Sequence, residues 1–70
     1  MADEIQEIAI HVQKDIDPGK WMWYEPTTYG TLTLRSYGFD TPEYAFDDGV
    51  RDVSNHYSRP ELLSFKMVQH

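Results

Sequence analysis

The chain has 70 residues, no cysteine, and twelve aspartates and glutamates against six lysines and arginines, for a net charge of −6. A chain of this length makes one domain, residues 1–70, with a small core and little room for a deep pocket. The missing cysteines exclude a disulfide framework and a thiolate zinc site, and the negative charge disfavours phosphate backbones and anionic lipid and favours a basic partner.

The N-terminal "MADEIQEIAI" has no basic n-region, and no apolar run approaches the roughly 18 residues of a membrane span, so a soluble, cytoplasmic protein is expected. From Ile5 to Gln13 the residues alternate. Ile8, Ile10 and Val12 fall on one side and Glu7, Ala9 and His11 on the other, the period of a half-buried strand. "DIDPGKW" then predicts a tight turn, with Pro18 at its second position and Gly19 free to take positive φ at its third. "WMWYE", closed by Pro26, predicts a second strand, and after "PTTYG" the alternation of Leu32 and Leu34 in "TLTLRSY" predicts a third.

Asp40 or Thr41 can cap a helix, with Pro42 in its first turn and Glu43 near its positive end. Phe46, Val50, Val53 and Tyr57 form an apolar stripe, with Ala45 and Gly49 beside it. Gly49 weakens the helix intrinsically, which predicts that the helix comes close to a strand or an indole there. Pro60 ends the segment, and "ELLSFKMVQ" alternates Leu63, Phe65 and Met67 as a last strand whose edge is left open. The predicted fold is α+β, a two-layer sandwich in which an antiparallel-type sheet of about four strands, in chain order β-β-β-α-β, packs on one helix.

No glycine-rich phosphate loop, nucleophile elbow or paired-acid signature is present, so no enzyme activity and no cofactor are expected. His11, His56 and His70 lack metal-ligand spacing. His56 is expected to meet the last helical carbonyls, and His70 to be a disordered tail. The acids of "DTPEYAFDDG" are out of register for a calcium loop. Trp21, Trp23, Tyr24, Tyr29 and Tyr37 could form a stacking platform for single-stranded RNA. The charge opposes it, and a short chain needs Trp21 or Trp23 in its core.

The helix acids are the sharper feature. Between Asp40 and Asp52 five acids stand against Arg51 alone; Glu43, Asp47 and Arg51 line one row, Asp48 and Asp52 another. Asp47 and Arg51 can pair, whereas Asp48 and Asp52 repel. The plain reading is a solvated face that keeps a small protein soluble. The functional one is a docking surface for an arginine- and lysine-rich site, made by Asp40, Glu43, Asp47, Asp48 and Asp52 with Tyr37 and Trp23 from the sheet.

"GKWMWYEP" followed by "SYGFDTPEYAFDDGVRDV" resembles the HicB antitoxin N-terminal domain at Gly38, Asp40, Thr41, Glu43 and Ala45, with Phe39 interposed. That resemblance implies a cytoplasmic protein that masks a small RNA-cleaving toxin. With "SFKMVQH" as its last residues the chain is not expected to carry the DNA-binding segment of that family, so operator binding is not expected. In size, charge and architecture the chain is also similar to small phage proteins that shut off host machinery, namely RNA polymerase inhibitors and anti-CRISPR proteins, which occlude a basic channel. The leading expectation is therefore a non-enzymatic inhibitor, monomer or homodimer, in a bacterial host cytoplasm. Its partner would be a basic nucleic-acid-handling protein (CRISPR effector, RNA polymerase or toxin), with no direct contact to nucleic acid or membrane.

Overall fold

The computed structural model describes residues 4–26 and 33–70, the side chain of Thr33 excepted. Strands β1 (Gln6–Lys14), β2 (Trp21–Pro26) and β3 (Thr33–Phe39) lead into helix α1 (Pro42–Asn55), and a 3-10 turn at Pro60–Leu62 precedes strand β4 (Leu63–Gln69). Tyr29, Thr31 and Leu32 lie outside the described residues. The turn after β1 forms as its sequence requires: the Lys20 amide donates to the Asp17 carbonyl, and Gly19 takes a φ of 78°.

The sheet runs in the order β3-β2-β1-β4. β1–β2 and β2–β3 are antiparallel, while β4 lies parallel to β1, with Ile8 opposite Phe65 and Ile10 opposite Met67. α1 carries the chain back along the sheet after β3, so β4 starts at the same end as β1. The sheet is thus mixed but mostly antiparallel, and the edge left open by the sequence is the outer side of β1.

Between Trp21 and Trp23 the pairing shifts, their partners being Phe39 and Ser36, so β3 carries an extra residue. Gly38, at φ 86°, lies in that bulge, and its amide donates to Asp15 Oδ2 across 3.2 Å. The bulge extends β3 two residues past the expected end and turns Phe39 onto the core.

Ile8, Ile10, Val12, Trp23, Ala45 and Val53 form the buried centre, with Leu34, Phe46, Leu63, Phe65 and Met67 packed around it. Thr41 caps α1, its Oγ1 accepting from the Tyr44 amide at 3.1 Å, and Pro42 opens the first turn. The buried line of the helix is Ala45, Gly49 and Val53; Phe46, Val50 and Tyr57 form a half-buried flank rather than the centre of the stripe. The cause is the Trp23 indole. A Cβ on Gly49 would lie 2.8 Å from Ile10 Cγ2 and 3.0 Å from Trp23 Cδ2, so the hydrogen side chain is what lets the helix sit over β1 and β2.

Candidate functional site

Rotation of the helix toward the indole redistributes its acids. Glu43, Asp47 and Arg51 are exposed, as their spacing predicts. Asp48 and Asp52 are half-buried on the flank opposite Phe46, not on the solvent face. Asp48 Oδ2 accepts from Trp23 Nε1 at 2.9 Å, so this acid closes the core around a buried donor. Trp23, expected to help bind a partner, is 0% exposed; its ring is core and its N–H is taken by Asp48.

Asp40 lies at the end of β3 and forms an ion pair with Lys20, whose ammonium is held above its ordinary pKa by the hydrogen bond to that carboxylate and then by its charge. Among the described residues the other ion pairs join Arg59 to Glu61 and Lys66 to Glu7; Asp47 and Arg51 do not pair. On the helix, Glu43, Asp47 and Asp52 belong to none of these ion pairs, and of the three Glu43 and Asp47 are exposed.

Three of the predicted acids come together. Asp40, Asp47 and Asp48 line an open groove of about 400 Å³ at the N-terminal end of the helix, with Phe39, Tyr44 and Arg51. Tyr44 is 63% exposed and brings an aromatic ring beside these carboxylates. Glu43 and Asp52 do not line the groove. Tyr44 went unremarked in the sequence, although a tyrosine in the first helical turn, off the apolar stripe, is the signal that could have found it.

Tyr37 lies apart, half-exposed on β3, with the Arg35 guanidinium carbon 5.8 Å from its ring centroid. On the sheet face that carries no helix, the His11 ring lies against Tyr24 and beside His70, at centroid distances of 4.9 and 5.1 Å, with Tyr24 and His70 themselves 6.3 Å apart. His70 is no disordered tail. Its amide donates to the Val12 carbonyl at 2.8 Å and its Nε2 lies 2.8 Å from His11 Nδ1. Burial, then the His70 ring and Lys66, hold His11 below the usual histidine range. His56 meets the Asp52 carbonyl at the helix end, as expected.

At the far end of the sandwich, Glu25 is 6% exposed, and its Oε2 has no hydrogen-bond partner among the described residues. Burial pushes its carboxyl up, and burial together with the Glu25 charge raises the Tyr57 phenol. Nothing in its spacing distinguishes this glutamate from the tryptophans it follows. Among the described residues no cluster of three or more histidine, aspartate or glutamate side chains could hold a metal, and no helix is long and apolar enough to cross a membrane. Comparison with protein-family models, with curated proteins and with solved structures gives no match to this chain.

Proposed function

We propose that the protein is a non-enzymatic binding protein that docks on, and occludes, a basic nucleic-acid-binding surface of a partner in the bacterial cytoplasm. One observation carries this reading: the groove at the start of α1, where three carboxylates, Asp40, Asp47 and Asp48, share the lining with Tyr44, Phe39 and a single cation, Arg51. An arginine or lysine entering it would meet carboxylates at the wall and an aromatic ring beside them, the combination that gives charged anchors their energy at interfaces. The excess of negative charge over the chain, −6, would steer such a partner and exclude free nucleic acid. The partner class remains that of a CRISPR effector, an RNA polymerase or a small toxin; the toxin is the partner that the HicB-like resemblance implies.

The test pairs capture with competition. Wild-type protein immobilised in bacterial lysate is expected to retain a basic nucleic-acid-handling protein, identified by mass spectrometry, and excess nucleic acid should release it. A Glu43→Lys, Asp47→Lys bait should lose that protein. Retention by the reversed bait, or indifference to nucleic acid, would overturn the reading.

A further inference from the structure

Glu25 lies at the C-terminal end of β2, facing the helix layer, with Leu34 opposite it on β3. An apolar residue at this position would continue the core. The Oε2 atom of a carboxyl buried there loses its hydration and gains no hydrogen bond from the described residues. Burial without return is the pattern of a group retained for something outside the chain.

Glu25 also opens on a hollow of about 180 Å³, at the opposite end of the sandwich from the acidic groove. Among the described residues, Gln6, Glu7, His11 and Tyr57 form the rest of its polar wall, and no lysine or arginine lines it. The wall is rich in acceptors: two carboxylates, a carboxamide oxygen and a phenolic oxygen. Glu7 shares its charge with Lys66 at 3.2 Å, which leaves Glu25 as the anion without a counterion. The hollow is smaller than the roughly 300–1,000 Å³ of pockets for drug-sized ligands, so it suits a headgroup with its first methylenes rather than a whole metabolite.

We infer that this hollow binds an alkylguanidinium or alkylammonium group, with Glu25 as the counterion and Gln6 and Tyr57 accepting N–H donors beside it. The site stands independently of the helix groove. The titratable groups that line the hollow with Glu25 are Glu7 and His11, from the side of β1 turned away from the helix, and Tyr57 beyond the helix, while Leu34 on β3 does not titrate. The Glu25 carboxyl is raised when the hollow is empty. A bound cation brings it down, so binding releases a proton and tightens as pH rises.

The experiment is a ¹³C-carboxyl NMR titration of the full chain with two probes, agmatine and a capped Gly-Arg-Gly peptide, against sodium chloride at equal ionic strength. Each saturating probe that enters is expected to lower the Glu25 midpoint by about one pH unit or more. The Tyr57 and Gln6 resonances should move with it, and Glu25→Gln should weaken the response at neutral pH at least about tenfold. A response to agmatine alone assigns the site to a free amine or guanidine, and a response to the peptide as well assigns it to a partner's side chain. An unmoved Glu25 midpoint, an equal response in Glu25→Gln, or shifts confined to Asp47 and Tyr44 would overturn the inference.

Discussion

The two ends of the sandwich treat carboxylates that leave water in opposite ways. At the helix N-terminal end, Asp48 receives the Trp23 indole N–H and Asp15 receives the Gly38 amide. At the other end Glu25 is more deeply buried than either of these, and its Oε2 receives nothing from the described residues. The contrast teaches that a count of acids is a poor guide to where negative charge acts. Of the five carboxylates between Asp40 and Asp52, one, Asp48, closes the core around a buried donor, while the acid with the largest unmet demand lies outside that run.

The strongest way to break the well-satisfied end is to lift the helix from the indole. Gly49→Leu should destabilise the protein by about 3 kcal/mol, since its Cβ alone would fall 2.8 Å from Ile10 Cγ2 and the rest of the side chain has no space. Helix propensity would return at most about 1 kcal/mol. Thermal unfolding checks this, and an unchanged midpoint would mean that Trp23 and Ile10 yield freely.

A narrower cut removes one acceptor. Asp48→Ala leaves the buried Trp23 N–H unpaired and should cost about 2 kcal/mol. Asp48→Asn keeps a side-chain oxygen for the indole and should lose less than half as much. Equal losses in chemical denaturation would show that charge, and not the hydrogen bond, is what Asp48 contributes.

The unsatisfied end predicts a change of opposite sign. The folded Glu25 carboxyl is raised by burial, so between its unfolded and folded values the native state holds more protons than the unfolded one. Its stability contribution is therefore complete at acid pH and is lost as pH rises through the folded value. Glu25→Gln should be more stable than the parent at pH 8, by on the order of 1 kcal/mol, and the gain should shrink toward pH 4. His11 works in the other direction, because its lowered value makes acid destabilising. The difference between variant and parent thus carries the test, and a gain that grows on acidification would contradict it.

Much of the fold was legible because it rests on local patterns. Alternation located Ile8, Ile10 and Val12 in the core, Pro18–Gly19 set the turn, and Thr41–Pro42 set the helix start. What escaped was relational. The helix phase depends on Trp23 lying under Gly49, a contact between residues 26 positions apart that no window on either segment reveals. The stripe through Phe46 and Tyr57 therefore came out rotated, and Asp48 was assigned to solvent. The groove needed the same kind of knowledge, since Asp40 belongs to the sheet end and Asp47 to the helix. Glu25 and the His11–His70 pair needed the sheet order, because only the parallel pairing of β4 with β1 brings residue 70 beside residue 11.

The smallest expected effect on folding is the most informative about function. Glu43 and Asp47 are exposed and belong to none of the ion pairs among the described residues, so reversing both to lysine should alter stability by under about 0.5 kcal/mol. The choice of pair matters: reversing Asp48 would break the indole hydrogen bond and confuse binding with folding. If the groove docks a basic surface, the same double variant should weaken the complex by about 2 kcal/mol or more wherever a carboxylate is desolvated against arginine. It should also flatten the salt dependence of association, because rim charges act mainly on encounter. Both quantities can be read from binding kinetics at two ionic strengths, with the unfolding midpoint as the control. Wild-type affinity and salt dependence in the variant would reduce Glu43 and Asp47 to a solvated face. The contact surface would then have to be sought around Tyr37 and the sheet face that carries no helix.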